Sequence, residues 1–127
     1  MKHVNNGCCG KCLELLQDAD PRLQAFAKSF QAAHPDGHIS CASRGEAEQN
    51  ADFAKGVSRA RFGESAHNFK PSRAIDWFRL TLAGANFDAP WYRDNLGPAA
   101  KAAGLVWGGD FHSIKDLPHV ELPNWRG

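Results

Sequence analysis

Apolar residues at Leu23, Phe26, Ala27 and Phe30 recur at helical spacing, and Asp20-Pro21 before them supplies a cap and a first helical residue. Together they predict a helix over 21–33, closed by the turn residues His34-Pro35-Asp36-Gly37. Upstream, Leu13, Leu15 and Leu16 predict a shorter helix that ends near Asp18. Residues 38–42 read as a short strand. Ser43 is then placed to cap a helix over 44–55, with Gly56 as its stop. The stretch 58–72 is a long irregular loop, a length more often functional than filler. A strand over 73–78 emerges from it, and 78–87 is compatible with a continued strand and a turn at Gly84. A helix is predicted over 90–103, broken or kinked at Gly97-Pro98 and ended by Gly104. Strands over 105–107 and 119–122 flank the turn Gly108-Gly109-Asp110. Helices first and strands later predict an α+β fold, N-terminal helices packed on a small, mostly antiparallel sheet.

At 127 residues the chain is expected to form one domain, 1–127, with a Cys-rich N-terminal segment at 1–12. A formal charge of +1 gives no electrostatic case for nucleic acid as a partner. No apolar run approaches the ~18 residues that span a bilayer, so membrane insertion is not expected. The first residues lack the apolar stretch of a secretory signal, so the protein is expected to be made in the cytosol. Cys9-Gly10-Lys11-Cys12 has the spacing of half a zinc site or a redox pair but lacks a second pair, so Cys8, Cys9 and Cys12 are read as reduced thiols on a frayed terminus and helix start. Cys41 is expected to be a buried strand residue, and His3, His34 and His38 to be peripheral.

Two distant stretches carry the chemistry: Ser65-Ala66-His67 leading to Ala74-Ile75-Asp76, and Asp116-Leu117-Pro118-His119. They offer two imidazoles and a carboxylate as metal ligands, with a second carboxylate three residues before the last histidine. Three protein ligands leave a tetrahedral zinc one open position for water, the arrangement of a catalytic site. Each residue also has a plainer explanation. His67 sits in a polar loop, His119 opens a strand and Asp116 could cap a turn. Asp76 lies in an apolar strand run, where an ionised carboxylate is expensive unless paired or metal-bound.

The series Ser65-Ala66-His67, Arg73-Ala74-Ile75-Asp76, Trp107-Gly108-Gly109-Asp110-Phe111 and Asp116-Leu117-Pro118-His119 resembles that of the bacterial cell-wall zinc peptidases. These are the D-alanyl-D-alanine carboxypeptidases and the phage endolysins that act as L-alanyl-D-glutamate peptidases, and the resemblance spans roughly 39–122. It implies one Zn2+ per chain on His67, Asp76 and His119, with Asp116 as catalytic base, in a fold shared with the hedgehog signalling domain. It also implies that Arg44 and Gln49 face the substrate, against the plainer reading of a solvated helix face. Arg44 is the first choice, and Arg61 the second, to share the charge of the tetrahedral intermediate. Ser65 could bind a substrate carboxylate or shape its loop, and Trp107 is expected beside the substrate. Asp110 either orients an imidazole or caps its turn, and His112 is a spare imidazole near the site. The gap from His67 to Asp76 is longer than is usual in the family, which a lengthened turn before the strand can absorb.

The activity so implied is cleavage of the peptidoglycan stem peptide, at the L-alanyl-D-glutamate bond, by a phage or prophage endolysin. Such a protein would act as a monomer, made in the host cytoplasm and reaching the wall through a holin-type pore. The alternatives are a D-alanyl-D-alanine carboxypeptidase, a non-catalytic zinc-stabilised binding module of the same fold, and a thiol-based metal protein centred on Cys8, Cys9 and Cys12.

Overall fold

The computed structural model describes residues 10–45, 49–51, 54–55, 65–112 and 115–125. It opens with α1 (Gly10–Leu16) and α2 (Pro21–Ala33). Asp20 caps α2 as its sequence implies, its carboxylate accepting from the Arg22 N–H at 2.9 Å. Among the described residues five strands follow: β1 (Gly37–Cys41), β2 (Ala74–Thr81), β3 (Gly84–Asn86), β4 (Val106–Trp107) and β5 (His119–Glu121). All four strand pairings are antiparallel, in the order β1-β2-β5-β4. The eight-residue β2 is the central strand. Along the edge opposite β1 it pairs with β5 at its start and with β3 at its end, Gly84 (φ +110°) opening the return strand.

Alternation along these strands divides the sheet. Ile75 and Trp77 of β2, Val120 of β5 and Trp107 of β4 join Leu23, Phe26, Ala27 and Phe30 of α2 in the core. Phe26 and Phe30 pack against Trp77 in T-shaped arrangements, at centroid distances of 6.0 and 4.9 Å. Asp76 and His119, directly opposite one another, share the other face with Glu121. The core face therefore packs against α2, and the opposite face is left to polar chemistry.

Several expectations need correction. Gly97-Pro98 does not break the helix expected over 90–103. Helix α3 (Ala89–Trp91) runs through a π-helical turn, Tyr92–Leu96, into α4 (Gly97–Ala102). The Gly97 N–H reaches back to the Tyr92 carbonyl, which shifts the hydrogen-bond ladder by one residue. Pro98 then falls in the first turn of α4, where a missing N–H costs no bond. Gly97 is there for contact, since a Cβ would lie 2.7 Å from the Trp107 ring. Ser43 does not cap the next helix. Its hydroxyl donates to the Phe69 carbonyl at 3.2 Å, and the helical bond of Gln49 runs back to Gly45. Of that helix only 49–51 and 54 are described, and Gly56 lies outside the described residues. His38 is fully buried rather than peripheral, and Cys12, a reduced thiol at the start of α1 as expected, is fully buried with it. The thiol of Cys12 lies 3.4 Å from His38 Nδ1 and accepts from the Ile39 N–H, so α1 covers the edge strand β1. Cys8 and Cys9 lie outside the described residues. No described helix is long and apolar enough to cross a membrane.

Candidate active site

His67 sits on a single 3-10 turn, Ala66–Asn68, built by local capping. Ser65 Oγ accepts from the His67 N–H at 3.2 Å, and the Ser65 N–H donates to Asn68 Oδ1 at 3.1 Å. The long connection from this turn to β2 is tied down twice. Ser72 exchanges backbone bonds with Asp18 and Asp20 at the α1–α2 junction, and the Arg73 N–H donates to the Ala66 carbonyl. The extra residues between His67 and Asp76 are thereby absorbed with both side chains brought together.

His67 Nε2 and His119 Nδ1 each lie 3.1 Å from the same atom, Asp76 Oδ1. The outer nitrogen of each ring is also held. His67 Nδ1 lies 2.7 Å from the Ala42 carbonyl and His119 Nε2 lies 2.6 Å from Glu121 Oε1. Acceptors on the outer side require N–H there, so a neutral imidazole in either place aims its lone pair at the Asp76 carboxylate. Two lone pairs facing one anionic oxygen are stable only with cations among them, either protons or a metal ion.

As protons, the effect is large. Burial would by itself depress His67, but the Asp76 charge and hydrogen bond outweigh it and hold the imidazole up to about 10. Burial likewise opposes protonation of His119, and bonds to Asp76 and Glu121 raise it to about 9. Burial disfavours ionised Asp76, yet the His67 charge and bonds from both rings hold its carboxyl well below the usual range. As a metal site, two imidazoles and a carboxylate are a donor set suited to zinc, and outer acceptors that orient the rings are what such ligands carry. The residues fit the ion.

Asp116 stands beside this cluster, its Oδ2 3.8 Å from His119 Nδ1 and its side chain about half exposed. Burial, reinforced by the Asp76 charge, pushes its pKa above the usual carboxylate value against the pull of His119, His67 and Arg44. Gly108 makes this approach possible: its carbonyl accepts from the Asp116 N–H at 2.9 Å, and its Cα has the Asp116 backbone directly against it.

Arg44 belongs to the same cluster. One guanidinium nitrogen lies 3.8 Å from Asp76 Oδ2, the other donates to Gln49 Oε1 at 2.9 Å, and its backbone N–H donates to the His67 carbonyl. Gln49 is fully buried and holds Arg44 and Asn68 from behind, and Ser65 works through the His67 turn. Trp107 lies on the core face, its indole N–H donating to the Leu117 carbonyl at 2.8 Å. Asp110 points to Lys101 at 3.3 Å, and His112 is exposed. Arg61 lies outside the described residues. Sequence reasoning missed Glu121, although His-x-Glu in a strand places both side chains on one face. Cys41 is half-buried rather than buried, 3.8 Å from His67 Nδ1.

A family model described as D-alanyl-D-alanine carboxypeptidase, Peptidase M15, matches residues 58–122, just over half of the chain. The peptidoglycan L-alanyl-D-glutamate endopeptidase CwlK of Bacillus subtilis (strain 168) is 31% identical over 121 residues, covering 85% of this chain and 71% of CwlK. The chain belongs to the peptidase M15 family. The crystal structure of the Serratia marcescens L-Ala D-Glu endopeptidase ChiX matches this M15 peptidase in fold, with a TM-score of 0.72 at 22% identity over 90% of this chain and 87% of that one. The α+β architecture expected from the sequence is thus one shared with ChiX, and His67, Asp76, Asp116 and His119 all lie in the segment that the family model matches.

Proposed function

We propose that this M15 peptidase cleaves the peptidoglycan stem peptide at the L-alanyl-D-glutamate bond, using zinc held by His67, Asp76 and His119. The observation that carries the proposal is the convergence of two oriented imidazoles on Asp76 Oδ1, with Asp116 alongside. When bound, zinc would acidify the attacking water and polarise the scissile carbonyl. Asp116, a better base than a surface carboxylate because burial raises its pKa, takes the proton of that water and returns it to the departing amine. Arg44, held by Gln49, faces the negative charge that develops on the carbonyl oxygen. Ala42 and Glu121 keep the two rings from turning.

The choice of bond is supported by the names of CwlK and ChiX, both L-Ala-D-Glu endopeptidases. The description of the family model favours the second reading, a D-alanyl-D-alanine carboxypeptidase. Mass spectrometry of digested muropeptides separates them: new L-alanine C-termini support the first, free D-alanine the second. Purified walls should clear with the protein and not after chelation, and clearing that survives a chelator overturns the metal. The proposal extends to a phage or prophage lysis enzyme that is made in the host cytoplasm, acts as a monomer and is released through a holin-type pore. Cells producing it should then lyse only when their inner membrane is permeabilised.

A further inference from the structure

Along β5, Val120 enters the core while His119 and Glu121 share the face that carries Asp76. Side chains two apart on a strand stand side by side, and here Glu121 Oε1 lies 2.6 Å from His119 Nε2. So short a separation lies at, and slightly inside, the short end of charge-assisted N–H···O bonds, about 2.7 Å. The Glu121 side chain is only 14% exposed. A carboxylate so nearly withdrawn from water is costly without a strong partner, and among the described residues that partner is His119.

We infer that Glu121 is a positioning residue for His119: by accepting the Nε2 proton it selects the tautomer and ring orientation that present Nδ1 beside Asp76 Oδ1. The inference rests on the zinc reading above and adds to it the group that determines which nitrogen of His119 serves as ligand. An imidazole released from this bond exchanges its proton between two nitrogens and turns about its Cβ–Cγ bond, so fewer molecules offer Nδ1. The Ala42 carbonyl does the same for His67, but a backbone group cannot be removed by substitution. Glu121 can.

Zinc alone, titrated into the full chain against a competing chelator, gives dissociation constants for wild type, Glu121→Ala and Glu121→Gln. Glu121→Ala weakens zinc binding by about 10–100-fold, the range for such supporting partners. Glu121→Gln still offers an oxygen to the Nε2 proton and recovers most of that loss, remaining several-fold weaker than wild type. In the zinc-loaded proteins, 15N shifts of His119 show Nδ1 as the ligating and Nε2 as the protonated nitrogen in wild type and Glu121→Gln, and a mixture of Nδ1- and Nε2-ligated rings in Glu121→Ala, a signature that a merely structural role would not move. Wild-type affinity and tautomer in Glu121→Ala overturn the inference and leave the zinc site standing. Wild-type protein that binds no zinc overturns the site, and the inference with it. Should Glu121→Ala fail to fold, Glu121→Gln carries the test, and unchanged affinity in it overturns the inference.

Discussion

Replacing Gly108 with alanine is expected to cost about 100-fold in kcat/KM while leaving the fold in place. Gly84 and Gly104 have positive φ, but Gly108 does not, so an alanine there meets steric rather than backbone resistance. Its Cβ would lie 2.1 Å from the Asp116 carbonyl oxygen and 2.9 Å from His119 Cβ. Ordinary contact begins at about 3.4 Å, so the two backbones must part by about 1.3 Å. The hydrogen bond from the Asp116 N–H to the Gly108 carbonyl, 2.9 Å long, lengthens with that movement. A misplacement of ~1 Å at a catalytic group costs on the order of 100-fold in rate, equivalent to ~2.7 kcal/mol of barrier. Forced contact in a packed region also lowers stability by about 1–3 kcal/mol. Initial rates of peptide release from purified peptidoglycan at saturating zinc, with a thermal melt of the same sample, measure both. A folded, zinc-saturated Gly108→Ala enzyme with wild-type kcat/KM would refute the argument that the Gly108 contact sets the position of Asp116.

Asp116→Ala should lower turnover by about 100-fold to 10,000-fold, the worth of a positioned base. Elemental analysis should still find one zinc per chain, and a variant that hydrolyses normally would remove Asp116 as the base. Cys41→Ser should retain zinc and activity, because the thiol faces the outer nitrogen of His67, 3.8 Å away, and not the nitrogen turned toward Asp76; loss of zinc would make Cys41 a fourth ligand. In the presence of a chelator, thermal stability should depend on pH through the imidazoles. Both are raised on folding, so their contribution is complete below pH 6.5 and lost as pH rises through about 9 and 10. Asp76 is lowered, so its contribution is present above the ordinary carboxylate pKa and falls away in acid. A melting temperature that rises between pH 6.5 and 10 without metal would contradict the paired-proton description of the cluster.

Local pattern alone specified much of this protein. The boundaries of α2 follow from Asp20-Pro21 and the spacing Leu23, Phe26, Ala27, Phe30, because capping and helical periodicity act within a few residues. Asp76 was conspicuous for the same local reason, a carboxylate in an apolar strand. His67, Asp116 and His119 were legible through the motif series around them. Tertiary structure decided what depends on a neighbour distant in sequence. Gly97-Pro98 looks like a break until the Trp107 ring is seen lying against Gly97. Trp107 looks like a substrate contact until sheet pairing sends it to the core face beside Val120. Gln49 reads as a substrate contact, or else as part of a solvated helix face, until it is found buried behind Arg44. Ser43 and Asp110 find partners, Phe69 and Lys101, that are not adjacent in the chain. Glu121 gains its meaning only from the separation between its carboxylate and His119. A side chain's type and spacing state what it can do, but the direction it faces and the atom it meets are products of strand register and close packing.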